Sequence, residues 1–338
     1  MAKRRRKLKT KKLITTILLL ALLCFIGWGI HYIYQTLQLF NNSRTELPSD
    51  LSELGITSQP VESGLTDDSS DASITNIALF GVDRRTENEA ARSDVIMIAT
   101  VDKRHNKIKL ASVMRDSYVP IDGYGKNKLN SAYFYGGPTL AVKTLNQLFG
   151  LNITDYVTVN FSEMAAIVDA VGGVEIDISE AERQDANHNM IEQAAMDGSK
   201  VDTIQKAGLQ TLSGMQAVGY ARIRYVGNAD FERTQRQRNV MQAIFKKGKS
   251  MNPLQYPDMI QKMLPVVETS LELSEIMDMA GILLRDVSME DVRFPCNEDL
   301  IDGGNLKIDG VLYLNCDLEA TRQKLHDFIY NDLMPVQP

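Results

Sequence analysis

The chain has 338 residues, 44% of them hydrophobic, and a formal net charge of −6. Lys3, Arg4, Arg5, Arg6, Lys7, Lys9, Lys11 and Lys12 supply eight positive charges, and removing these eight from −6 leaves −14 for the rest. So acidic a body is a poor general partner for nucleic acid, whose phosphates it repels.

The first predicted element follows that basic run. Leu13 to Tyr34 contains no Asp, Glu, Lys or Arg, and about 20 apolar residues suffice to cross a bilayer core. Residues 1–12 are therefore expected as a cytoplasmic basic tail and 13–34 as a transmembrane helix, with the remainder outside the cytoplasm. Trp28, Tyr32 and Tyr34 sit near the far end, where aromatic rings prefer the interface. A cleaved signal peptide has a shorter apolar region ending in small residues. Leu37, Gln38, Leu39 and Phe40 are no such site, so the anchor is read as uncleaved. Residues 35–73 are read as a flexible linker, because Asn41 to Ser73 is rich in Ser, Thr, Asp and Glu and shows no apolar period.

A single domain is expected over 74–332. Ile74–Val82, Asp94–Val101 and Lys107–Met114 read as strands, the first two almost continuously apolar, as buried strands are. Pro138–Phe149 reads as a helix with Pro in its first turn, Tyr156–Phe161 as a strand and Ser162–Val171 as a second helix. After the Gly172-Gly173 break comes Val174–Ile178. Further helices are predicted over Ser213–Tyr220, Phe231–Lys247, Leu254–Thr269, Ser274–Arg285 and Leu318–Tyr330, and short strands over Asp291–Phe294 and Val311–Leu314. Helices and strands interleave throughout. The predicted class is α/β (α+β), a central mixed β-sheet flanked by helices.

Common catalytic signatures are missing: no serine elbow, phosphate-binding glycine loop, HExxH or CxxC. His31, His105, His188 and His326 lie in unrelated contexts and are read as incidental. Of the three cysteines, Cys24 lies in the apolar span, and Cys296 and Cys316 form an exported pair that permits one disulfide. What stands out is charge at strand ends. Asp83 ends the first predicted strand and Asp94 begins the second, so an antiparallel pairing brings them together. The third strand brings Arg115 to the same edge, with Arg84, Arg85 and Arg92 in the loop above. Converging acids fit either strand-end salt bridges or a hard divalent ion such as Mg²⁺.

A second group lies further on. In Tyr220-Ala-Arg-Ile-Arg-Tyr225, Arg222 and Arg224 are two apart and would share one strand face. Arg233, Arg236 and Gln237 have the i, i+3, i+4 spacing of one helical face. Val240 and Ile244 continue that stripe, which turns the polar groups toward the core. Arginines near a helix N-terminus oppose its dipole, and a bound anion resolves the conflict.

The segments NIALFGVDRR, ARSDVIMIATVD, KLASVMRDSYV, KLNSAYFYGG, VDAVGGVEIDI, LSGMQAVGYARIRY and DFERTQRQR resemble the LytR-CpsA-Psr family, in that family's order, over roughly Ile74 to Lys247. Glu232 departs from the pattern, which has glycine between the Phe and the Arg. The resemblance implies a transferase that moves a glycopolymer, a teichoic acid or capsular polysaccharide, from a polyprenyl-pyrophosphate carrier to a peptidoglycan hydroxyl through a phosphodiester link. It implies Asp83 and Asp94 as Mg²⁺ ligands, with Asp94 and Arg115 in the chemistry. Arg84, Arg115, Arg222, Arg224, Arg233 and Arg236 would grip the pyrophosphate, with Gln237 beside them. Two alternatives use the same arginines: a membrane-tethered module that only binds lipid or wall polymer, and a lipid-pyrophosphate hydrolase.

Overall fold

The computed structural model describes residues 44–56, 73–84, 90–197, 200–227, 229–282 and 284–336, together with Gln35, Gln38 and Phe40. The expected membrane span, residues 13–34, lies outside them, as does Arg85. Among the described residues no helix is long and apolar enough to cross a membrane.

Three strands, β1 (Ile74–Val82), β2 (Ser93–Asp102) and β3 (Lys107–Val113), form an antiparallel meander. A hairpin of β4 (Tyr118–Ile121) and β5 (Gly125–Lys128) leads into helix α1 (Ser131–Phe149). Then come β6 (Asp155–Asn160), α2 (Phe161–Ala170), β7 (Val174–Ile178), α3 (Glu180–Asp197), β8 (Gly208–Leu212), α4 (Gly214–Ala221) and α5 (Ala229–Ser250). The chain finishes with α6 (Tyr256–Met263), β9 (Glu268–Thr269), α7 (Leu273–Ile282), β10 (Ser288–Phe294), the hairpin β11 (Leu300–Ile308) and β12 (Val311–Cys316), and α8 (Leu318–Tyr330).

The main sheet has the order β10-β3-β2-β1-β6-β9. β10 and β6 run parallel to their neighbours β3 and β1, so the sheet is mixed as expected. Strand alternation supplies a core on each side. Phe80, Ile96, Ile98 and Val113 pack with α1 and α8, whereas Val101 on β2 meets Ile282, Val287 and Phe245 of the other layer. That second layer is built from α2 to α6, around Val168, Ile178, Tyr220 and Val240.

Several expectations are corrected. Arg222 and Arg224 are not on a strand: α4 ends at Ala221, and both arginines follow it in an irregular turn before α5. Leu254–Thr269 is not one helix. α6 stops at Met263, Pro265 lies in a 3-10 turn, and Glu268–Thr269 pairs with β6, because proline cannot extend the ladder. Helix α3 was not anticipated, since its sequence is mostly polar. Its apolar row is narrow, Ala186, Met190 and Ala194, four apart and buried.

The linker is also shorter than its composition suggests. Thr45 N–H donates to Thr269 O at 2.9 Å, extending the β9 edge. Leu54 is buried in the core and its carbonyl accepts from Asn146 Nδ2 at 2.8 Å. A few apolar anchors hold a segment too polar to order by itself. Finally, no disulfide joins Cys296 and Cys316. The strands before them are not neighbours, for β10 runs beside β3 while β12 pairs with β11.

Candidate active site

The end of β1, the start of β2 and the end of β3 meet at one edge of the sheet, as the antiparallel reading required. Val82 pairs with Ser93 and Gly81 with Val95, which leaves Asp94 as the extra residue of a β-bulge. Bulges re-aim side chains beside functional sites. Gly81 permits this one, since a Cβ there would lie 2.8 Å from Cβ of Val95.

Asp94 thereby enters a cleft of about 310 Å³, which Asp83, Val95 and Phe161 also line. The rest of the lining comes from His188, Asn189 and Glu192 of α3, Ala221, Arg222, Arg224 and Tyr225 after α4, and Arg233 and Gln237 of α5. A second, mainly apolar hollow of about 210 Å³ adjoins it, sharing Phe161, Asn189 and Arg222 and adding Met190, Met215 and Val218.

The charges are arranged rather than merely collected. Arg115 Nη1 donates to Asp94 Oδ1 at 2.6 Å and its Nε to Asp116 Oδ2 at 3.3 Å. Asp116 in turn accepts from Lys128 Nζ at 2.5 Å. Burial opposes the charge on Arg115, but Asp94 and Asp116 outweigh it and the guanidinium is held more firmly protonated than usual. Arg233, only 5% exposed, meets Asp230 Oδ1 at 2.8 Å. Burial and then the repulsion of Arg115 push its pKa down to about 10, against the pull of Asp230. Its Nε is buried without a hydrogen-bond partner among the described residues. Arg222 lies over the Phe161 ring, 4.6 Å from the centroid, and donates to the neutral Gln193 at 3.0 Å. Arg224 is exposed and contributes its backbone N–H to Asp185.

Six expected residues thus share the cleft: Asp83, Asp94, Arg222, Arg224, Arg233 and Gln237. Arg115 stands behind Asp94 and orients it. Arg84 and Arg236 are elsewhere. Arg84 Nη2 pairs with Glu268 at 3.1 Å. Arg236, 3% exposed, is clamped by Glu182 and Glu232, each at 2.9 Å, and donates to Val226 O. The i, i+3 spacing put Arg233 and Arg236 on one face, but Glu232, one helical turn before Arg236, pairs with it at i, i+4. Gly227 makes room for it at φ 78, where an added Cβ would lie 2.0 Å from Glu232 Oε1. The glutamate that departs from the family pattern is what ties Arg236 into the scaffold.

His188, Asn189, Glu192, Phe161 and Tyr225 are additions that the sequence did not single out. His188 and Glu192, one turn apart on α3, form a 3.3 Å pair at the rim. A period-four row through an unrecognised helix was the available signal.

Clustered guanidinium groups, the carboxylates of Asp83 and Asp94 and an adjoining apolar hollow thus meet at one end of a mixed sheet. The chain belongs to the LytR_cpsA_psr family, whose model matches residues 43–326. The polyisoprenyl-teichoic acid–peptidoglycan teichoic acid transferase TagU of Bacillus cereus is 33% identical over 254 residues, 74% of this chain and 76% of that one. Its Enterococcus faecalis counterpart is 32% identical over 253 residues, 73% and 76% of the two chains. Among solved structures, YwtF (TagT) with bound octaprenyl pyrophosphate lipid aligns with a TM-score of 0.57 at 25% identity, covering 76% of this chain and 91% of that one. TagT bound to LI-WTA aligns with a TM-score of 0.61 at 26% identity over the same shares.

Proposed function

We propose that this protein transfers a glycopolymer, a teichoic acid or a related wall polysaccharide, from a polyprenyl-pyrophosphate carrier to a hydroxyl of peptidoglycan. The observation that carries this reading is Arg233, a buried cation pressed by Arg115 and left with an unpartnered Nε on the wall of a cleft. A diphosphate relieves both defects, and helix N-termini with guanidinium forks suit that ligand. The transferase names of the relatives and the lipid bound to YwtF (TagT) support it.

The residues divide the work. Arg222, Arg224 and Arg233 bind the two phosphates, with Gln237 beside them and the apolar hollow taking the first part of the prenyl chain. The acceptor oxygen bonds to the phosphorus that carries the glycan, the bond from that phosphorus to the bridging oxygen breaks, and polyprenyl phosphate leaves. Asp94, oriented by Arg115, receives the hydroxyl proton. Such a transfer rests on positioning and charge stabilisation more than on covalent chemistry. Asp83 and Asp94 suit a hard divalent cation: both carboxylates line the same cleft, and Arg115 occupies only Oδ1 of Asp94. Mg²⁺ bound there would spread the negative charge of the reacting phosphates. The basic tail and residues 13–34 support a single-pass anchor that holds the domain outside the cytoplasm.

The test is transfer of a lipid-linked oligosaccharide to soluble peptidoglycan fragments by the full-length protein in detergent, with direct binding of the donor. Asp94→Asn should bind the donor and fail to transfer, and excess chelator should do the same to the parent. Release of free oligosaccharide to water at the same rate with and without acceptor would instead make the protein a hydrolase. Tight donor binding with neither reaction would make it a binding module. For topology, a reporter placed after Pro338 should be active only outside the cytoplasm.

A further inference from the structure

Beside the sheet edge that carries Asp94, and outside the arginine cleft, lies an exposed aromatic platform. Tyr124, at the tip of the β4–β5 hairpin, stacks on Tyr135 of α1 with ring centroids 4.3 Å apart and planes 4° from parallel. Tyr124 is 52% exposed and Phe134, edge-on to Tyr135 at 5.7 Å, is 42% exposed. Two stacked rings held this flat leave the outer face of Tyr124 open to solvent.

The platform is tied to the reacting edge by a short chain of contacts. Asn127 Nδ2 donates to Tyr135 Oη at 2.9 Å. The next residue, Lys128, pairs with Asp116, and Asp116 with Arg115, the partner of Asp94. The start of α1 is fixed to the same place, since Asn130 N–H donates to Arg115 O at 3.1 Å. Arg92, two residues before Asp94, lies 5.5 Å from the centroid of Phe134. The aromatic platform is therefore linked to the edge that carries Asp94 through Arg115 and Arg92, neither of which lines the cleft.

We infer that Tyr124 and Phe134 form the subsite for the glycan strand of the acceptor. This rests on the transfer reaction proposed above. Displacement at phosphorus brings the incoming oxygen in opposite the leaving group. Arg92, Arg115, Phe134 and Tyr135 do not line the cleft, so a sugar on the rings borders Asp94 without displacing a pyrophosphate on Arg222, Arg224 and Arg233. Flat, polar-tipped aromatic faces suit the apolar faces of sugar rings, and contiguous exposed apolar surface rimmed by polar groups marks a binding surface. A bilayer is the rival occupant, but the patch presents tyrosine hydroxyls and ring faces in place of aliphatic side chains.

The probes are a β-1,4-linked N-acetylhexosamine tetrasaccharide and, separately, phosphatidylglycerol vesicles, both with full-length protein in detergent or nanodiscs. Tyr124→Ala and Phe134→Ala should each weaken tetrasaccharide binding and raise the acceptor KM about five- to tenfold, a loss of one ring contact. Donor binding and kcat at saturating acceptor should not change. Tyr124→Trp, which keeps a flat ring, should restore both, and that rescue separates a sugar platform from a merely structural role. An unchanged acceptor KM together with unchanged tetrasaccharide binding overturns the inference. So does loss of vesicle binding while the glycan still binds, which would make the platform a membrane contact. Should the parent protein transfer to no acceptor, the reaction reading fails, and tetrasaccharide binding by Tyr124→Ala still decides the platform.

Discussion

Two regions of this domain bury charge, and they do so to opposite ends. Under α8, Lys109 is fully buried, yet its Nζ meets Asp102 at 3.0 Å, Asp332 at 3.1 Å and Ile329 O at 3.0 Å. Asp102 also accepts from His105 at 2.8 Å. The three acidic and imidazole groups Asp102, His105 and Asp332 lie close enough to hold a metal ion, but Lys109 already sits between the two carboxylates and fills that role. At the sheet edge, by contrast, Arg233 is buried beside another arginine, keeps an orphan Nε and has only a half-exposed Asp230 for a partner. Arg236 also keeps a buried Nη1 without a hydrogen-bond partner among the described residues, so what sets Arg233 apart is the cleft it lines and the second arginine pressed against it.

Breaking the first region should cost the most. Lys109→Met leaves Asp102 buried without its cation, and removing one member of a buried pair costs about 3–5 kcal/mol. Urea unfolding should show that loss, while transfer per folded molecule is unchanged. Losing stability without any loss larger than that of an exposed substitution would mean that water already reaches Asp102.

The second region should fail in the other currency. Arg233→Ala should lower transfer by about 10²–10³, the usual effect of deleting one donor that meets developing charge, and weaken donor binding. Its stability should hold or rise, since the variant removes an ill-matched buried charge. Arg236→Ala should give the reverse, a folding defect with donor binding intact, because its partners are Glu182 and Glu232. Weak donor binding by folded Arg236→Ala would return that residue to the site.

The pH dependence sharpens the same contrast. Burial raises the pKa of Asp102, but hydrogen bonds from His105 and Lys109 outweigh it and hold it at about 2. The ordinary carboxyl value is about 3.9. A depressed folded pKa gives stability that is complete above about pH 4 and lost as the pH falls toward 2. Urea midpoints should therefore decline over that window in the parent protein and less steeply in Asp102→Asn.

What the sequence made legible follows from what is local. Strand ends carrying Asp83, Asp94 and Arg115 could be matched because the connections are short and antiparallel, and Asp94 does meet Arg115. The family motifs carried the transferase reading. The bulge that aims Asp94 leaves no mark in composition, whereas Glu232 four residues before Arg236 was a readable helical pair. Helix α3 escaped because its buried row is only three residues wide, which hid His188, Asn189 and Glu192. Arg84 looked like part of the site only because it follows Asp83, and its partner Glu268 is 184 residues away.

The smallest expected effect concerns the cysteines. A disulfide between Cys296 and Cys316 would have tied β10 to the β11–β12 hairpin, but none joins them. Their ends are held instead by Asp299, whose side chain accepts from Cys296 N–H and from Lys324 and whose carbonyl accepts from Asp317 N–H. Burial pushes both thiols up to about 11, so each is protonated near neutral pH and a poor nucleophile. A thiol reagent applied to the native protein at pH 8 should therefore label neither quickly. In denaturant without reductant, the full chain should titrate three thiols, Cys24 included, since the sequence has three cysteines. Reductant should leave the unfolding midpoint where it was. One thiol in denaturant, with a midpoint that falls on reduction by the roughly 3 kcal/mol such a loop is worth, would place the bond back between β10 and β12.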